Sequence, residues 1–198
     1  ELGTNGYDPA STTAALTIAA NWHTMEGLTE IHPATRKVYA ALAAEMPKKI
    51  DDTTYEVTLR KDAKFSNGSP VTTEDVLYSF QRVIDPANKS LYAQFLSFID
   101  KVEAKDASTI TFKLKHAFVL LPERLSVVKI VPKAVVEADP KNFTYKVVGT
   151  GPYKMTDNGA AKQVIVFERN DHYNGPYPAL VKTMKWNIMP DDTTRTNA

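Results

Sequence analysis

Few residues in this chain are of a type that could do chemistry, and their spacing argues against catalysis. The four histidines, His23, His32, His116 and His172, form no H-x-H or H-E-x-x-H grouping. Isolated histidines of this kind read as surface or satisfied core residues. Gly149-Thr150-Gly151 lacks the G-x-x-x-x-G-K-[ST] spacing of a phosphate loop, so a tight turn is the better reading. Ser97, Ser108 and Ser126 sit in no nucleophile-elbow context. The adjacent acids Asp51-Asp52 and Asp191-Asp192 read as solvated loop carboxylates. The expectation is therefore no catalytic residue, no metal ligand and no cofactor. Binding remains.

The clearest element is YEVTLRKDAKFSNGSPVTTEDVLYSFQRVI, residues 55–84. Tyr55, Val57 and Leu59 alternate with Glu56, Thr58 and Arg60, the period-two pattern of a strand with one buried face. Asn67-Gly68 signals a turn, because both residues tolerate positive φ. Thr72 and Asp75 then make a capping box at the start of a helix. Val76, Leu77, Phe80, Val83 and Ile84 share one face of that helix, and Asp85-Pro86 stops it.

Around this unit the spacing predicts a helix over residues 14–28, a short helix over 38–46 and an aromatic helix over 91–99. It predicts strands at 110–114, 127–131, 163–169 and 184–188. Pro122 and Pro132 stand where helices can start. Trp22 and Trp186 read as core residues, since large aromatic side chains dominate burial.

With 198 residues, 43% hydrophobic and 24% charged, the composition is that of an ordinary globular chain of one large or two small domains. A net charge of +1 gives no case for nucleic acid. No apolar run approaches the roughly 20 residues that span a bilayer. With no cysteine, disulfides say nothing about compartment. The chain starts at Glu1 without Met, and it is expected to be a piece of something longer.

The exact residues add a resemblance. LRKDAKFSNGSPVTTEDVLYSFQRVIDP, residues 59–86, closely resembles the signature of the family 5 extracellular solute-binding proteins. These are the peptide- and nickel-type receptors of ABC importers. Asp8-Pro9 and Glu26-Gly27-Leu28 match the loop before the family's first helix and the triplet at its end. Gly149-Thr150-Gly151-Pro152-Tyr153 matches a second family motif. Arg169-Asn170-Asp171-His172-Tyr173 resembles a family turn, with Asp171 in place of the usual Pro, and Met46 stands where a Trp is common.

That resemblance implies a mixed α/β fold of the type II periplasmic-binding-protein kind, partial, with the closing lobe absent. Domain I would combine residues 1–23 and 145–198, and residues 24–144 would form a small inserted domain II. The implied function is capture of oligopeptides or dipeptides for an ABC importer, without catalysis. The implied partners are a peptide ligand and the membrane permease subunits, with no nucleic acid, and membrane contact only through an upstream lipid anchor. The protein would be a monomer, either periplasmic or anchored on the outer face of the cytoplasmic membrane. Candidate ligand-binding residues are Thr12, Thr13, Ala14, Ala15 and Tyr92. Read without the resemblance, the first four are a helix start capped by Thr12 or Thr13, and Tyr92 is a core or rim aromatic. Alternatives within the family are a nickel, metal-chelate or oligosaccharide receptor. Outside it stand a hydrolase that borrowed the fold and a surface or adhesion module.

Overall fold

A computed structural model describes residues 6–161, 163–189 and 191–196. The outer ends of the expected first domain, residues 1–5 and 197–198, lie outside these. Helix α1 (Ala15–Thr24) precedes a hairpin of β1 (Thr29–Ile31) and β2 (Val38–Ala40). Strands β3 (Lys48–Lys49) and β4 (Thr54–Thr58), helix α2 (Thr73–Ile84), and strands β5 (Ile99–Ala104) and β6 (Thr109–Leu114) follow. Short helices α3 (Leu121–Arg124), α4 (Lys133–Ala138) and α5 (Pro140–Phe143) lead to β7 (Tyr153–Asn158), β8 (Val164–Arg169) and β9 (Thr183–Asn187). Helix α6 (Asp192–Thr196) comes last. The architecture is mixed α/β.

Among the described residues the strands form three antiparallel sheets, ordered β1-β2, β3-β4-β6-β5 and β7-β8-β9. Tyr55 and Val57 of β4 point inward and pair with Phe112 and Ile110 of β6. Helix α2 lies over this sheet with Val76, Phe80 and Val83 buried, and Phe80 meets Phe112 edge-on at 5.1 Å. Its start is the expected capping box. Thr72 Oγ1 accepts from the Asp75 amide (3.3 Å), and Asp75 Oδ2 accepts from the Thr72 amide (2.9 Å). Gly68 supplies the positive φ (+87°) of the preceding turn.

A second apolar cluster joins α1 to the β7-β8-β9 sheet through Tyr7, Ala20, Met25, Tyr153, Ile165 and Phe167. Val131, Val136 and Phe143 also belong to it. The Gly149-Thr150-Gly151 turn passes directly under the end of α1. A Cβ on Gly149 would stand 2.1 Å from the Thr24 carbonyl oxygen, and one on Gly151 2.6 Å from that of His23. Only glycine fits so close a backbone approach.

Several local expectations fail for tertiary reasons. Residues 38–46 are not helical. Val38–Ala40 pairs with Thr29–Ile31, and the amides of Ala41, Leu42 and Ala43 donate to the carbonyls of Leu28, Gly27 and Leu28. These bonds to a distant segment override the helix preference of an alanine-rich run. Residues 91–99 hold one 3₁₀ turn, Ala93–Leu96, before β5 begins. Residues 128–132 are extended and mostly buried but outside any strand, with the Ile130 amide bonded to the Glu26 carbonyl. Helix α1 stops at Thr24, and its N-cap is Ala14 with no side-chain cap. Thr12 Oγ1 accepts instead from the Ala14 amide (3.2 Å). Trp22 is not core: α1 buries Thr17, Ala20, Asn21 and Thr24, and Trp22 falls off that face, 62% exposed. Trp186 is partly buried against Phe167, with ring centroids 4.8 Å apart.

Candidate functional site

Where the two apolar clusters meet, the surface opens into a cleft of about 600 Å³. The Pro9–Thr12 loop and Ile18, Trp22 and His23 of α1 form part of its lining. Glu30 and Ile31 of β1, His32, Arg36 and Tyr39 form another part. Tyr92, Val127, Lys129, Tyr173 and Tyr177 complete most of the rest. Glu26, on the extended segment after α1, also reaches it.

Two ion pairs brace the lining, and a third braces the loop behind it. Glu26 takes two hydrogen bonds from Arg60, of 3.2 and 3.0 Å, with only 6% and 15% of the two side chains exposed. Arg60 also donates to the Ala41 carbonyl and to Asn174 Oδ1 (2.9 Å), and it faces the Tyr173 ring at 5.7 Å. Burial pushes the Glu26 carboxyl above its ordinary value, and Arg60 works against that rise. Glu30 pairs with Lys129 and accepts from the Gly27 amide (2.7 Å). Behind the cleft, Arg82 grips buried Asp8 at 3.0 and 2.7 Å, which fixes the Asp8-Pro9 loop to α2.

The rings are arranged edge to face. Tyr177 meets Tyr39 at 4.9 Å and His32 at 5.5 Å, and His23 meets Trp186 at 5.3 Å. Burial raises the Tyr39 hydroxyl, helped by Glu30, and lifts that of Tyr173 to about 12. Burial lowers His23, so it is neutral at neutral pH. Such a lining offers apolar surface and a few polar groups, as small-molecule clefts do. Among the described residues no three His, Asp or Glu side chains gather as a metal site, and no helix is long and apolar enough to cross a membrane.

Of the residues singled out from sequence, Thr12 and Tyr92 both line the cleft, and the Tyr92 hydroxyl donates to the Thr12 carbonyl (3.1 Å). Thr13, Ala14 and Ala15 do not line it. Thr13 and Ala15 are exposed, and Ala14 is the half-buried helix cap. Sequence reasoning missed Tyr39, Lys129 and Tyr177, read Trp22 as core, and met Tyr173 only within a family turn. It did single out Glu26, Asp8 and Arg60 within motifs, without the pairing that joins one motif to another.

A family model, bacterial extracellular solute-binding proteins, family 5 Middle, matches residues 37–198, more than half of the chain. The chain belongs to this family. Its relatives include proteins that are 30% identical to it. The nickel-binding periplasmic protein of Escherichia coli K12 matches over 78% of the chain and 30% of its own length. The periplasmic oligopeptide-binding protein OppA of Haemophilus influenzae matches over 84% and 34%. The chain thus spans about a third of the length of such relatives. Among solved structures, AgaA from A. tumefaciens R10 in complex with agropinic acid superposes with a TM-score of 0.89 at 25% identity. That match covers 99% of this chain and 40% of AgaA. The fold of the family 5 chain is accordingly that of a periplasmic binding protein, in part.

Proposed function

We propose that this chain forms one side of the ligand site of a solute receptor serving an ABC importer, and that the ligand is a short peptide. The observation that carries this reading is the aromatic cleft of about 600 Å³, braced by Glu26–Arg60 and Glu30–Lys129. Family membership and the oligopeptide-binding relative support it. Thr12 and Tyr92 would contact ligand, while Thr13, Ala14 and Ala15 would hold the loop and helix start that present them. The role is binding, without catalysis or cofactor. We also propose the division into residues 1–23 with 145–198, and 24–144. The separate sheets β7-β8-β9 and β3-β4-β6-β5 support it, and Val131, Val136 and Phe143, which pack in the β7-β8-β9 cluster, are where the two parts would join.

In this mechanism a second lobe closes over the ligand, and the transporter's permease subunits recognise the closed form. The physical content is tighter ligand binding to the closed state than to the open one. The receptor would act as a monomer outside the cytoplasm, in a periplasm or held by an upstream lipid anchor.

Calorimetric titration with short peptides tests the reading. A small-ligand site encloses roughly 70–90% of its ligand, and here one lobe supplies about half of that. A micromolar site of about −8 kcal/mol would fall to about −4, a Kd near 1 mM. The 198-residue chain is expected to bind in the millimolar range, and a chain of the relatives' length in the micromolar range. Failure of the longer chain to bind any peptide would end the peptide reading. A metal-chelate reading has one observation in its favour, that His23 and His32 both line the cleft. A rise in melting temperature with nickel–histidine and none with peptides would favour it.

A further inference from the structure

The cleft carries two carboxylates, Glu26 and Glu30, and by count alone would invite a cationic ligand. Neither is free to take one. Glu26 is closed on Arg60 by two hydrogen bonds, and Glu30 on Lys129 and the Gly27 amide. Both pairs are largely out of solvent. Drawing either acid toward a ligand ammonium would leave its present partner as a buried unpaired charge, a larger loss than the new contact restores. Arg36 also lines the cleft, exposed, and makes no ion pair among the described residues. It repels a ligand cation.

Apart from Arg36, what the cleft leaves unpartnered is apolar. Trp22 is 62% exposed on its lining, and among the described residues no ring stacks on it. Tyr177, 48% exposed, stands edge-on to Tyr39 and leaves ring surface open to an offset or T-shaped partner. Resting on the reading of this cleft as a peptide site, we propose that it selects a neutral aromatic side chain of the ligand. That side chain packs on Trp22 and the Tyr39–Tyr177 pair, and a lysine or arginine side chain is rejected at the same place.

The sequence has two tryptophans. Trp186→Phe removes the one packed against His23 and Phe167, leaving Trp22 as the sole reporter. Gly-Phe-Gly, Gly-Lys-Gly and phenylacetamide are titrated to about 20 mM, well above the millimolar Kd expected of one lobe. Gly-Phe-Gly is expected to shift Trp22 emission saturably, with Gly-Lys-Gly roughly tenfold weaker, about the worth of one ring contact. By calorimetry, Trp22→Ala should lose the preference for Gly-Phe-Gly while keeping its unfolding midpoint, because the side chain is exposed. Equal or tighter binding of Gly-Lys-Gly overturns aromatic selection and leaves the peptide reading standing. So does a preference that survives in Trp22→Ala. A shift with phenylacetamide and neither tripeptide upholds aromatic selection and sinks the peptide reading. Silence of all three probes overturns aromatic selection at Trp22, and the peptide reading is then decided by the titration of the longer chain.

Discussion

Arg60 meets four groups at once: Glu26, the Ala41 carbonyl, Asn174 and the Tyr173 ring. Removing it leaves Glu26 as an unpaired buried charge, so Arg60→Met is expected to cost about 3 kcal/mol or more. Adding Glu26→Gln should recover part of that loss, and a double-mutant cycle in urea reads the coupling. The pH dependence has a definite sign. Burial holds the folded Glu26 carboxyl above its unfolded value, so the folded state keeps its proton to higher pH. Stability therefore declines as pH rises through that folded value. The decline should steepen in Arg60→Met and vanish once Glu26→Gln is added; an unchanged slope in both would mean that Glu26 is solvated. His23 has the opposite sign. Burial lowers its folded value, so stability is present above the ordinary histidine value and is lost as pH falls through it. Melting temperatures between about pH 7.5 and pH 5 should fall less in His23→Gln than in the parent.

Helix α2 was legible from the sequence because its signals are local. The cap, the apolar face and the Asp85-Pro86 stop all lie within the element or two residues of its ends. Its cap does one thing sequence could not show, since Asp75 Oδ1 also accepts from the Lys133 amide (2.9 Å) at the start of α4. Thr72→Ala is thus expected to cost about 1 kcal/mol and Asp75→Ala about 2, read as shifts of the urea midpoint. Equal losses would show that the bond to Lys133 contributes nothing. Residues 38–46 were misread for the converse reason. Their amides are taken by Gly27, Leu28 and Thr58, partners that no short window contains. Trp22 was misplaced similarly, because which face of α1 is buried depends on Tyr7 and Gly6. Those residues accept hydrogen bonds from Asn21 (3.1 Å) and Thr17 (2.8 Å).

On the scale of the whole molecule, the family motifs turn out to be contact points between the two apolar clusters. That is why the fold was readable from them and the cleft was not. Tyr39, Tyr92 and Tyr173 come from segments far apart in sequence, and only the assembled chain brings them to one lining. Polar links run between the segments around them: Arg60 with Asn174 (2.9 Å), Ser66 with Gly149 (2.8 Å) and Asp8 with Arg82 (2.7 Å). If these links carry the cooperativity, the parent should unfold in one step by every probe. Trp186 emission, read in a Trp22→Phe background, reports the β7-β8-β9 side, and far-ultraviolet dichroism reports the whole. Asn174→Ala with Arg82→Met removes two links and leaves Asp8 unpaired and buried. In that variant the Trp186 transition should come first, because among the described residues the cluster beneath it buries fewer side chains than the cluster under α2. Two probes still melting together at a lower midpoint would show that apolar packing, with Val136 of α4 and Phe143 of α5 in the second cluster, couples the two clusters by itself.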